Sequence, residues 1–105
     1  MKKTIQPFNK KILDLVKKIP KGRVTTYLEI AKKLGNPGLA RAVGNSLNKN
    51  PHFLKIPCHR VIKSNGEVGG FALGTDKKLK YLRAESVIVR NGRVLDFEEL
   101  LYKFN

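Results

Sequence analysis

"TTYLEIAKKLGNPGLARAVGNSLNKNP", residues 25–51, is the stretch that decides the fold. Tyr27, Ile30, Ala31 and Leu34 recur at helical spacing after Thr25-Thr26, either of whose hydroxyls can cap, and Gly35 ends the run. Asn36 and Pro37 then read as the N-cap and first position of a further helix, whose Leu39, Ala42, Val43 and Leu47 share one face until Asn50-Pro51 stops it. Two short helices across a tight Gly-Asn-Pro turn make a helix-turn-helix.

The other face of that second helix carries Gly38, Arg41, Asn45 and Asn48, flanked by Ala40 and Gly44. A reader of the major groove usually presents several long side chains to base edges. This face instead combines small residues, which let the backbone come close, with a single protruding cation, and that pattern suits the narrower minor groove.

Upstream, Phe8, Ile12, Leu13, Val16 and Ile19 form an apolar stripe opposed by lysines and predict an amphipathic helix ending at Pro20. Downstream, residues 53–62 look extended, "SNGEVGG" (64–70) is a turn-rich loop, and Thr75 or Asp76 opens a helix through Leu79 and Leu82. "VIVRNGRVLDF" (87–97) predicts a reversal at Asn91-Gly92, and Phe97, Leu100, Leu101 and Phe104 predict a closing amphipathic helix. The expected class is mainly α with a small β element, a winged-helix-like domain containing a helix-turn-helix. Residues 1–105 are expected to form one domain with no separate N-terminal domain, since 105 residues hold a single core.

Lys and Arg number 22 against 8 acidic residues, a formal charge of +14 spread along the whole chain. Charge of that size on a folding chain suits a polyanion, because each cation placed at a phosphate releases condensed counterions. No stretch approaches the ~20 apolar residues of a membrane span and no secretory h-region follows Met1, so a membrane partner is not expected and the cytoplasm is. Cys58 is the only cysteine and His52 and His59 the only histidines, so neither an internal disulfide nor a structural metal site is expected. Cys58 is then either a small buried hydrophobe or a nucleophile. Its adjacency to His59 decides nothing, because consecutive residues of an extended segment face opposite ways unless a turn at Pro57 intervenes.

"PCHRVI" (57–62), preceded by the helix-turn-helix stretch and followed by "SNGEVGGFALGTDKKLKYLRAE" (64–85), resembles the DNA-binding and active-site domain of O6-alkylguanine-DNA alkyltransferases. The resemblance runs from Phe8 to Val87. It rests on Tyr27, "RAVG" (41–44), "NP" (50–51), "PCHRV" (57–61), "GGF" (69–71) and Glu85, in order and at the family's spacing.

The resemblance implies a single-turnover repair reaction, without a cofactor, on double-stranded DNA containing O6-alkylguanine. The alkyl group would pass irreversibly to Cys58, with His59 as base, Glu85 orienting the imidazole, Tyr27 donating to N3 of the flipped guanine, and Asn50 tying the helix-turn-helix to the active-site segment. Val61, with its carbonyl toward the guanine amine, and Gly69, Gly70, Phe71 and Ala72 would shape the pocket. Arg41 would fill the gap left in the base stack while Gly38, Ala40, Gly44 and Asn45 line the minor groove. Arg60 would give structural support or a phosphate contact, and the protein would act as a monomer. Relatives that only bind the lesion and recruit other factors replace the cysteine, so a non-catalytic module is the alternative that Cys58 argues against.

Overall fold

A computed structural model describes residues 7–49, 56–70 and 74–104. Among them the order is α1 (Pro7–Val16), β1 (Thr25–Thr26), α2 (Tyr27–Lys33), a 3-10 turn (Pro37–Leu39), α3 (Ala40–Asn48), a second 3-10 turn (Cys58–Arg60), β2 (Val61–Ile62), α4 (Thr75–Ala84), β3 (Val89–Arg90), β4 (Arg93–Val94) and α5 (Phe97–Leu100). The class is as expected: mainly helical, with two small sheets.

Local chemistry sets the helix-turn-helix. Thr26 is the N-cap of α2, its hydroxyl accepting from the Glu29 N–H at 2.9 Å, which satisfies one of the unpaired donors of the first turn. Gly35 sits at φ +99° and so reverses the chain where other residues would be strained. The Asn36 side chain accepts from the Gly38 N–H, Pro37 follows, and the next helix enters through one 3-10 turn before settling into α3. Val43 and Leu47 point into the core, with Leu39 partly buried beside them, as the spacing predicts.

Two apolar clusters lie on either side of a parallel strand pair in which Thr25 faces Val61 and Thr26 faces Ile62. One cluster holds Ile12, Val16, Ile19, Ile30, Ala31, Val43, Leu47, Ile56, Cys58 and Val61. The other holds Val24, Ile62, Val68, Leu82, Val87 and Val94. Adjacent strand residues point to opposite faces, so Val61 and Ile62 serve different clusters and the short strand joins them. The reversal at Asn91-Gly92 is present as the β3–β4 hairpin, with both residues at positive φ.

Two expectations are corrected. The stretch taken as extended through 62 is not so at Cys58–Arg60, which form one 3-10 turn after Pro57. The closing helix is a single turn, Phe97–Leu100. Leu101 is extended instead and bridges Val24 in parallel, the Tyr102 N–H donates to the Val24 carbonyl, and the Arg23 guanidinium donates to the carbonyls of Leu100 and Leu101 at 2.9 and 2.8 Å. Pairing with a segment about 77 residues away overrides the helical period.

Candidate active site and groove

The Cys58–Arg60 turn is held from below by charge. Arg60 donates from Nε to Glu85 Oε1 at 2.8 Å, from Nη2 to Glu85 Oε2 at 2.6 Å and from Nη1 to the Ile19 carbonyl at 2.7 Å. One guanidinium thus joins the turn, the C-terminal end of α4 and the chain leaving α1, in the two-pronged geometry that arginine makes with carboxylates. The alternative of a phosphate contact for Arg60 is disfavoured, because its donors are already turned inward.

Glu85 Oε2 also lies 3.0 Å from His59 Nε2. A carboxylate only accepts, so Nε2 carries the proton and Nδ1 keeps its lone pair. Nδ1 is buried and has no hydrogen-bond partner among the described residues. The ring is also fixed by Tyr81, edge-on at 5.5 Å between centroids. Burial lowers the His59 pKa below its ordinary 6.5, the Glu85 hydrogen bond opposes this, and the cations Arg60 and Lys78 lower it further. The imidazole is therefore neutral at pH 7, as a base must be. For Glu85, burial pushes the carboxyl upward, but the hydrogen bonds from Arg60 and His59 outweigh it and leave the group below 4.5.

Cys58 is 6 % exposed at the head of the turn, and its carbonyl accepts from the Val61 N–H. Burial lowers the Lys78 pKa to about 7, and Cys58 nearby opposes that shift. Tyr27, the first residue of α2, is pushed up to about 12 by burial and by Cys58, and its hydroxyl reaches the Gly70 carbonyl at 3.5 Å.

Tyr27 lines a cavity of about 490 Å³ with Ala40, Arg41, Gly44 and Asn45 of α3 and with Gly70. Gly44 leaves the Tyr27 ring uncovered by side chain: a Cβ there would stand 3.7 Å from the ring carbons. Gly69, at φ +75°, passes so near that a Cβ would come 3.3 Å from the Lys63 chain and 3.7 Å from the Tyr27 hydroxyl. Arg41, Asn45 and Gly38 are exposed, as a groove-facing surface requires. Neither Cys58 nor Val61, which is wholly buried, is among the described residues that line the cavity. Asn50, Phe71 and Ala72 lie outside the described residues.

Lys78 was missed in the sequence, where it sits in a run of lysines that resembles a solvated face. It is fully buried, and Nζ donates to the carbonyls of Val68 at 2.6 Å and Gly70 at 2.9 Å and to the Tyr27 oxygen at 3.4 Å. Its position four residues before Leu82, on the inward stripe of α4, was the available signal.

Residues 7–87 match the family described as 6-O-methylguanine DNA methyltransferase, DNA binding domain. A methylated-DNA–protein-cysteine methyltransferase of Methanosarcina acetivorans is 47% identical over 78 residues, covering 74% of this chain and 50% of that protein. Among solved structures, S. pombe Atl1 in complex with damaged DNA containing O6-carboxymethylguanine superposes with a TM-score of 0.83 at 32% identity, over 96% of this chain and 99% of that one. Mycobacterium tuberculosis OGT in complex with DNA gives 0.75 at 36% identity, over 79% of this chain and 51% of that one. The chain spans 30% to 50% of the length of the first curated relatives it matches. Motifs, helix-turn-helix and cysteine turn agree with the match, and the chain belongs to the 6-O-methylguanine DNA methyltransferase family through its DNA-binding domain.

Proposed function

We propose that this protein repairs O6-alkylguanine in double-stranded DNA by moving the alkyl group irreversibly to Cys58, once per molecule. The observation that carries the reading is the His59–Glu85 pair. Its 3.0 Å contact leaves a neutral imidazole with a buried lone pair on Nδ1, on the residue next to the thiol. His59 takes the Cys58 proton through a water. The sulfur attacks the alkyl carbon, the S–C bond forms as the C–O6 bond breaks, and Tyr27 supplies a proton to N3 of the departing guanine. Glu85 orients the base and Arg60 holds Glu85.

An alkylated guanine is out of reach within the stack and has to be rotated out, at a cost of a few kcal/mol. Arg41, beside the cavity, fills the gap, and Gly38, Ala40, Gly44 and Asn45 let α3 lie in the minor groove. The pocket is completed by Val61 through its carbonyl, Gly69 and Gly70, with Phe71 and Ala72 assigned to the same wall and Asn50 to the tie between α3 and the cysteine turn. The protein acts as a monomer, needs no cofactor, and works in the cytoplasm, where DNA and reduced thiols coexist.

A second reading is favoured by one observation, the end-to-end match with Atl1: a module that binds the lesion and recruits other factors without chemistry. Peptide mapping after incubation with duplex carrying O6-methylguanine separates the two. The repair reading expects methyl on the peptide containing Cys58, and none in Cys58→Ser, which still binds the duplex. Tight lesion binding by the wild type with an unmodified Cys58 peptide supports the second reading instead.

A further inference from the structure

Lys78 is wholly buried in the middle of α4, and no step of the proposed reaction uses it. An ammonium has donors and no acceptor, so in its contact with Tyr27 the phenol oxygen accepts. The Tyr27 proton is thereby directed away from Lys78. The contact is long, at 3.4 Å, while those to the Val68 and Gly70 carbonyls are 2.6 and 2.9 Å. The two carbonyls therefore anchor the ammonium, and the phenol keeps freedom to turn toward an incoming ligand.

We infer that Lys78 is a positioning residue for alkyl transfer: its ammonium occupies the Tyr27 oxygen as an acceptor, so that the phenolic proton points away from it, toward the cavity-lining Gly70 and an incoming base, and it pins the backbone of Val68 and Gly70. The inference rests on the reading that Tyr27 protonates the departing guanine. When it does so, the phenolate left behind faces the ammonium, which returns a proton to it and is itself reprotonated from water. Burial and the neighbouring Cys58 push the Tyr27 pKa up to about 12, so the phenolate does not persist and takes back a proton.

The groups that face Lys78 are Tyr27 from α2, whose oxygen it contacts, and Cys58 and His59 from the cysteine turn, the first acting on its charge and the second acted on by it. No carboxylate charge acts on it among the described residues. Burial lowers its pKa to about 7, against the opposing pull of Cys58. Above that pH the neutral amine accepts the Tyr27 proton and turns it away from the base. Transfer therefore falls on the alkaline side.

Single-turnover methyl transfer from duplex O6-methylguanine should be measured for wild type, Lys78→Met, Tyr27→Phe and the double variant. Losing a directed proton donor is expected to slow Lys78→Met by about 10- to 100-fold, while in the Tyr27→Phe background the same change costs less than about threefold. The alkaline limb of the wild-type profile should be missing from Tyr27→Phe. Equal losses in both backgrounds overturn the inference. In parallel, carbon NMR of protein labelled at tyrosine Cζ, without DNA, should show a step in the Tyr27 signal at the Lys78 titration, absent in Lys78→Met. A wild-type signal with no such step overturns the inference even if Lys78→Met does not fold. Were the wild type to transfer no methyl at all, the repair reading would fail, while the NMR step would still decide whether Lys78 directs the phenol.

Discussion

Replacing Arg60 by alanine removes three charge-assisted hydrogen bonds of 2.6 to 2.8 Å, takes the donor from the Ile19 carbonyl and leaves the Glu85 carboxylate to the neutral His59 N–H. The Arg60 and Glu85 side chains are 15% and 11% exposed, so the pair is close to the buried limit, where removing one partner costs about 3–5 kcal/mol. At roughly 0.05–0.15 kcal/mol per residue the whole domain has about 5–15 kcal/mol in hand, so this one change takes a large part of it. For a chain of this size the melting temperature should fall by about 12 °C or more. The pH dependence gives the sign. Glu85 is held below its ordinary 4.5, so its contribution is full above that pH and is lost as pH falls through the folded value. Thermal unfolding followed by circular dichroism should show a wide gap between wild type and Arg60→Ala at pH 7 that narrows steadily in acid. A gap under about 1 kcal/mol at pH 7, or one unchanged in acid, would refute the reasoning.

Alkyl transfer should weaken as pH falls through the His59 titration, which lies below 6.5, because protonation removes the Nδ1 lone pair; single-turnover rates that stay level through that range contradict its role as base. Arg41→Ala should impair repair of duplex far more than reaction with free O6-benzylguanine, which needs no flipping, and equal losses exclude a place for Arg41 in the base stack. With roughly four to six phosphates neutralised, affinity for duplex should fall with a log-log salt slope of about −4 to −5, and a flat response in a fluorescence titration contradicts the charge argument.

What was legible in the sequence was what short-range chemistry decides. The Thr26 cap, the positive-φ Gly35 and the Asn36-Pro37 entry each act within a few residues, so the helix-turn-helix and its small-residue face could be read directly. The terminal helix could not, because Leu101 obeys Val24 and Arg23 rather than its own neighbours. The site divides in the same way. Cys58 and His59 are adjacent in the chain, yet what fixes the His59 tautomer is Glu85, 26 residues on, and that pairing came from family resemblance alone. Arg60 stayed ambiguous between support and phosphate contact until its partners were visible. Lys78 was hidden because a lysine among lysines looks solvated, and only the carbonyls of Val68 and Gly70 explain how its charge is held inside.

The central claim is that Cys58 ends its working life as a thioether. Intact-mass spectrometry of the protein after exposure to excess O6-methylguanine duplex tests it most directly. The account predicts that every active molecule gains the mass of one methylene, and that no further lesion is repaired once all have done so. Continued turnover with the protein's mass unchanged would contradict it.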